Sequence, residues 1–428
     1  MKRSIRVANL SRVEGEGALE LIITNGRVTR ANFSIFESPR FFEAFLRGRR
    51  GLEAPDLTAR ICGICPVAYQ MSAVHALESI LALAVPEPLR ALRRLLYCGE
   101  WLESHALHVY FLHAPDFLGY PSGLAMAQDF PEKVKDGLAL KKIGNAIVTL
   151  LGGREIHPIS VRVGGFYRTP EARELQALVP DLEKALDLSQ KTLRWVACFN
   201  FPDITYDYEL VALRPAHDYP LCEGRLVSTR GLDIAVTEFE DVFAEEHVRH
   251  SNALQGRLQS GGAYLVGPLA RFALNYDRLH PVSQRAAQEA GLTPACRNPF
   301  QSIMVRSVEM IYACEEALRI IGNYRRPARP YVEAPWRAGQ GCAITEAPRG
   351  ILYHRYTVND QGIIQDARIV PPTSQNQKTI EADLCRVAER HLHLDDPHLT
   401  HILEQAIRNY DPCISCATHC LRLRLVRR

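Results

Sequence analysis

The apolar and polar positions of this chain follow two periods. Over residues 18–24 and 28–36 apolar side chains recur close to every second position, and Asn25-Gly26 between them supplies the positive φ angles of a tight turn, so the pattern predicts a β-hairpin. Over 41–50, 66–85 and 88–112 the spacing lengthens to three or four residues, as amphipathic helices require, and the same spacing predicts helices at about 132–151, 170–196, 284–290 and 303–321. Prolines and glycines break the pattern across 199–262, which reads as irregular. Alternation returns over 350–358 and 363–370 around Asn359-Asp-Gln-Gly362, a second hairpin, before helices at about 375–392 and 398–407. No repeat or flexible linker interrupts the chain. The expected class is α+β: one large, mainly helical domain over residues 1–419, with a central helix bundle and small peripheral antiparallel sheets.

Composition narrows the function classes. The chain has 428 residues, of which 47% are hydrophobic and 23% charged, enough to bury a large core. Its 51 basic residues are scattered among 48 acidic ones, so no nucleic-acid partner is expected. Arg422-Leu-Arg-Leu-Val-Arg-Arg428 is basic but too short for a binding module and reads as a sorting or processing tail. No apolar run follows the charged Met1-Lys-Arg start, so no signal peptide is expected. The most apolar stretch, 73–85, is broken by His75, Glu78 and Ser79 and falls short of the ~20 residues of a membrane span. A soluble, cytoplasmic protein is expected, although a folded complex can be exported on a partner's signal.

Twelve cysteines are too few for a disulfide scaffold in a chain this long. Cys98, Cys198, Cys222, Cys296, Cys314, Cys342 and Cys385 stand singly and read as plain thiols. Four others form two pairs, in Arg60-Ile-Cys-Gly-Ile-Cys-Pro66 and Asp411-Pro-Cys-Ile-Ser-Cys-Ala-Thr-His419, and Cys420 follows the second. Thiols three residues apart can face one metal, and Pro66 suits the first turn of a helix whose partial positive charge favours thiolates. Four sulfurs with this spacing fit structural zinc first, then an iron-sulfur cluster, or a redox disulfide in either pair. Against zinc, the pairs lie at opposite ends of the chain, whereas zinc ribbons join nearby pairs. A site assembled from both ends would be buried by the whole fold.

The two motifs resemble the two signatures of nickel-iron hydrogenase large subunits. Ser11-Arg-Val-Glu-Gly15, His105-Ala-Leu-His108, Gly152-Gly-Arg-Glu-Ile-His-Pro158, Glu346-Ala-Pro-Arg-Gly350 and Val370-Pro-Pro-Thr373 extend the resemblance along the whole chain. It implies a nickel-iron centre whose iron also holds carbon monoxide and two cyanides, with Cys62 and Cys413 as terminal nickel ligands and Cys65 and Cys416 as bridges. It implies Cys413 as first base in the heterolytic cleavage of H2, Arg349 over the open metal position, Asp411 paired with Arg349, and Glu14 as proton carrier. It further implies Pro371 and Thr373 in the cyanide pocket, and Glu43 with His419 at a magnesium site. Read alone, Arg349 would be a surface ion pair, Ser11-x-x-Glu14 a capping box and Glu43 a solvated helix face.

The chain departs from the family pattern in three places. Tyr69 stands where many members have a histidine near a bridging sulfur; His75 could replace it, though a packed histidine is the plainer reading. Ser104 stands where many carry an acid. Pro372 replaces a common serine, leaving Thr373 to supply the hydroxyl. The short chain and the variants Arg-Val-Glu-Gly-Glu-Gly17 and Ile-Cys-Pro-Val-Ala-Tyr-Gln70 resemble the cytoplasmic, bidirectional, NAD(P)-coupled class, with sulfur reduction as a side activity. No Gly-x-Gly-x-x-Gly motif binds a nicotinamide here. The resemblance therefore implies an iron-sulfur small subunit and flavin- and NAD(P)-binding diaphorase subunits, with nickel-insertion factors and a maturation protease that removes residues 420–428. The competing reading is a metal-free or zinc-binding relative serving as a structural subunit of an electron-transfer complex.

Overall fold

The computed structural model describes residues 2–418. The first hairpin forms as expected: Gly17–Thr24 pairs antiparallel with Arg27–Ile35, and Asn25 and Gly26 turn the chain with φ of 52° and 75°. A strand not expected from the pattern, Lys2–Val7, pairs with the outer edge of Gly17–Thr24.

The core is a bundle. Glu87–Leu107 lies between Pro131–Gly152 and Ser302–Gly322, and Val179–Val196 packs on the last of these. Glycines set one approach: a Cβ on Gly144 would fall 2.7 Å from both Gly99 O and Glu103 N, so only hydrogen lets these helices touch backbone to backbone. Beside this contact Glu103 is buried, with Lys141 Nζ 3.3 Å away, and burial, against the pull of Lys141, lifts its carboxyl to about 7. Such a group favours the folded state at low pH, and that contribution is lost as pH climbs from about 4.5 towards 7. Glu103→Gln should therefore gain on wild type across that window, by up to about 3 kcal/mol, measured as urea unfolding at a series of pH values.

Three helices differ from expectation, each for a local reason. The segment 41–50 is helical only over Phe42–Leu46, because Gly48 N and Gly51 N donate instead to Ile364 O and Gly362 O. The segment 170–196 splits into Ala172–Gln176 and Val179–Val196, where Pro180 in the first turn starts a new helix. Beyond Leu107 the long helix widens into a π turn, His108–His113, before Ala114–Leu118. The irregular stretch 199–262 holds short strands, Val211–Arg214, Arg225–Ser228 and Asp233–Ile234 in one sheet and Phe243–Glu246 with Gln255–Leu258 in another.

The second predicted hairpin, Gly350–Val358 with Ile364–Val370, has a third strand, Gly339–Ala347. That strand lies on the helix Pro66–Leu81, and a Cβ on Gly341 would sit 2.4 Å from Ala76 O. Ala347 pairs with Gly350, so Pro348-Arg349 is a two-residue turn at the tip of this sheet. Among the described residues no helix is long and apolar enough to cross a membrane. The architecture is mixed helix and sheet, mainly helical, in one domain.

Candidate metal centre

Cys62 ends a short helical turn, and Cys65 is the N-cap of Pro66–Leu81, with Pro66 in its first position. The amides of Ile64 and Cys65 both donate to Cys62 Sγ, at 3.3 and 3.4 Å. From the other end of the chain, Asp411, with φ 51°, turns the backbone into Pro412-Cys413. The two pairs meet: Cys62 Sγ lies 3.4 Å from Cys413 Sγ, Cys65 Sγ 3.5 Å from Cys416 Sγ, and all four sulfurs fall within 4.8 Å of one another. All four side chains are buried.

Hydrogen bonds from Cys413, then Cys416 and Cys65, push the Cys62 thiol well down, while burial pushes Cys413 up. Four thiolates in so small a dry volume repel one another and ionise together only around cations. Soft sulfur donors suit nickel and iron, and they equally suit zinc.

The surroundings decide more. Arg349, buried at the hairpin tip, reaches the cluster with Nε donating to Asp411 O at 2.7 Å and Nη2 to Asp411 Oδ1 at 3.2 Å. Burial works against its charge, but Asp411 and the neighbouring thiols more than offset this, so the guanidinium stays protonated. Its Nη1 is buried with no hydrogen-bond partner, a donor left over beside the sulfurs. A structural zinc site has no use for such a donor; a centre carrying small anionic ligands does. Thr373 Oγ1 accepts from Cys413 N at 2.9 Å, which leaves the hydroxyl proton to give, and Pro371 and Pro372 are buried beside it at the start of Pro372–Arg390. The residues present therefore fit a nickel-iron centre.

Glu14 is not a capping box. Its Oε2 accepts from Cys413 Sγ at 3.1 Å and from Ser415 N at 2.9 Å, and burial, then the charge on Cys62, raises its pKa. Backbone pairing of Glu14 with Cys413 places it there. Gly15 permits this pairing: at φ +86°, a Cβ would lie 2.6 Å from Glu37 Oε2 and 2.7 Å from Ile414 Cβ. Gly15→Ala should cost about 2–4 kcal/mol, read as a lowered unfolding midpoint.

Several residues at the site carry no sequence signal of their own. Arg40 Nη2 donates to Ile61 O at 2.6 Å and also to Ser415 O, tying the two motifs together. Glu100 accepts from Val67 N and Ala68 N at 2.6 and 3.1 Å, holding the helix that follows Cys65. Arg408 and Arg12 both bind Asp116, and Arg408 also binds Ser11 O, anchoring the segment between the first two strands that carries Glu14. Their partners lie far away in sequence, so only the fold identifies them.

Other expectations fare unevenly. Tyr69 lies buried against the cluster, its phenol raised by burial and then by Cys416 and Cys65. His75 does not stand in for it, since it faces a cavity of about 240 Å³ with Arg90, Arg93 and Glu223, and burial lowers it to about 4. His105 and His108 bind Glu309 and Arg408 O, at 2.9 and 2.7 Å. Glu43 accepts from Ile369 N at 2.8 Å, which replaces the solvated-face reading. His419 and the tail 420–428 lie outside the described residues.

The geometry agrees with comparison to known proteins. The family described as nickel-dependent hydrogenase matches residues 40–135 and 259–419. Sulfhydrogenase 1 subunit alpha of Pyrococcus furiosus is 32% identical over 98% of this chain and 98% of its own, and sulfhydrogenase 2 subunit alpha of the same organism 33% identical over 98% and 100%. A solved NAD+-reducing NiFe hydrogenase in the H2-reduced state superposes with a TM-score of 0.88 at 26% identity, covering 97% of this chain and 99% of that one. With four buried thiols brought together from both ends of the same fold, the chain belongs to the nickel-dependent hydrogenase large-subunit family.

Proposed function

We propose that this chain is the H2-cleaving subunit of a cytoplasmic, bidirectional, NAD(P)-linked hydrogenase with a sulfur-reducing side activity. The observation that carries the reading is the facing of Cys62 and Cys65 with Cys413 and Cys416 beneath the unpaired Nη1 of Arg349. Cys62 and Cys413 would be terminal ligands to nickel, and Cys65 and Cys416 bridges to an iron carrying carbon monoxide and two cyanides. When bound, that centre supplies the Lewis acid that polarises H2 and the redox couple that takes its electrons.

The chain's own groups do the rest. Cys413 Sγ accepts the first proton and Glu14, 3.1 Å away, receives it next. Asp411 holds Arg349, which would direct its spare donor at the open metal position. Thr373 would offer its hydroxyl, and Pro371 an apolar wall, to the cyanides. Glu43 and His419 would hold a magnesium ion that fastens the C-terminal segment, and residues 420–428 would be a maturation peptide, tested by the intact mass of nickel-loaded protein.

Electrons would leave where the centre comes nearest the surface. Gly63, inside the first motif, is exposed, and Ile156 beside it is 52% exposed, with Ile159, next to Gly153, 50% exposed. An apolar patch over the cysteine loop suits an iron-sulfur small subunit, which would pass electrons to a flavin- and NAD(P)-binding diaphorase. The sulfhydrogenase and NAD+-reducing relatives support both acceptors.

The deciding experiment is elemental analysis with infrared spectroscopy of the purified complex. One nickel per large subunit, with bands of iron-bound carbon monoxide and cyanide, supports the proposal. Zinc in place of nickel supports a structural site, and the absence of both nickel and zinc supports a scaffold subunit. Reduction of NADP, NAD or sulfur by H2 then assigns the acceptor.

A further inference from the structure

Arg349 sits on a two-residue turn, a mobile kind of element, yet its guanidinium must hold one height above four sulfurs. Its backbone is fastened on three successive carbonyls. Trp101 Nε1 donates to Glu346 O at 3.0 Å, Arg271 Nη1 to Ala347 O at 2.8 Å, and Arg271 Nη2 to Pro348 O at 2.8 Å.

Arg271 lies in the first turn of Pro268–Asn275 and is wholly buried. Its remaining donors are also committed. Nε and Nη2 bind the two oxygens of Glu309 at 2.7 and 2.8 Å, and Nη1 binds Glu346 Oε2 at 3.0 Å. All five N–H groups of the guanidinium are thus used, two on the turn and three on carboxylates. Trp101 lies under the same guanidinium at 4.4 Å. Gly267, immediately before this helix, has φ +112°, and a Cβ there would stand 2.7 Å from Arg349 O, so the helix start presses on the back of the turn.

A buried ion pair that served stability alone would need only the carboxylates. We infer that Arg271 is a positioning residue for H2 cleavage, setting the height of Arg349 over the cysteine cluster through the carbonyls of Ala347 and Pro348. The inference rests on the role proposed for Arg349. Lysine, with three donors at one point, keeps the charge but cannot span two carbonyls and two carboxylates.

The test compares three variants of the nickel-loaded complex. Arg271→Lys removes the strap. Arg93→Lys disturbs a similarly buried pair, Arg93 with Glu78, that touches no part of the turn. Arg349→Lys probes the positioned group itself. Thermal midpoint, nickel content, the infrared bands of the iron's diatomic ligands, and kcat and KM for H2 are measured for each. Arg271→Lys and Arg93→Lys should lose comparable stability, but only Arg271→Lys should displace the infrared bands and lower kcat, by about ten- to a hundredfold with KM little changed. Bands and kcat matching those of Arg93→Lys would overturn the inference. Should Arg271→Lys not fold or load, Trp101→Phe, which removes the donor to Glu346 O and trims the ring beneath the Arg271 guanidinium, is read instead: displaced bands support the strap and unmoved bands overturn it. If Arg349→Lys lowers turnover while Arg271→Lys does not, only the positioning role fails; if Arg349→Lys turns over normally, the proposed role of Arg349 fails and the inference with it.

Discussion

Replacing Cys65 by serine is expected to give a folded subunit without nickel and without measurable hydrogen turnover. The change is nearly isosteric, at a buried position that caps the helix Pro66–Leu81, so the backbone has little reason to move. The chemistry changes completely. A thiol ionises within reach of neutral pH and its sulfur is soft; an alcohol does neither, and it cannot bridge two soft metals as a thiolate does. Loss of one of four mutually close sulfurs also removes the charge that holds the cations, while the stabilisation that a bound centre gives the native state is lost by mass action. Elemental analysis and H2 uptake of the complex check this, and full nickel with normal turnover would sink the ligand assignment.

Glu14→Gln should have the second-largest effect, by a different route. Glutamine keeps the size and an acceptor for Ser415 N, so the pairing of Glu14 with Cys413 survives. What it lacks is a proton-carrying oxygen 3.1 Å from Cys413 Sγ. Turnover should fall by about 10²–10⁴-fold, with metal content and infrared bands unchanged. Exchange between H2 and deuterated water separates the cases: exchange at the wild-type rate would show that protons leave by another path.

How much of this was legible beforehand depended on range. The hairpin around Asn25-Gly26 and the long helices are local, written in period and turn chemistry, and apart from the π turn after Leu107 and the break before Val179 they appear where expected. No strand was expected over Gly339–Ala347, where glycines weaken the strand signal; in the fold Gly341 lets the strand lie against the backbone of Pro66–Leu81. The helix expected over 41–50 was overridden by pairing with 362–364, more than three hundred residues away in sequence.

The same division runs through the site. The thiols were plain as two pairs, but spacing alone left zinc in front; the motif resemblance pointed to a different centre, and the convergence of Arg349, Glu14 and Thr373 on the cysteine cluster supports it. Arg40, Glu100 and Arg271 were unreadable, since each works by capturing backbone carbonyls or amides of a distant segment. For His75 the plainer reading, a packed histidine and not a substitute for the one missing at 69, agrees with the fold, where the helix turns it away from the sulfurs into a separate cavity.

The pairing of Glu14 with Cys413 has a bearing on biosynthesis. A nascent chain leaving the ribosome exposes Cys62 and Cys65 before their partners, which follow 351 residues later. Until that second pair emerges, the chain presents half a ligand set to a gap where the Cys413 segment will lie. A polypeptide that stalls before Cys413 therefore has no means of closing around metal. Possession of a filled site becomes a readout of chain integrity, available to any cellular machinery that distinguishes an open cleft from a closed one.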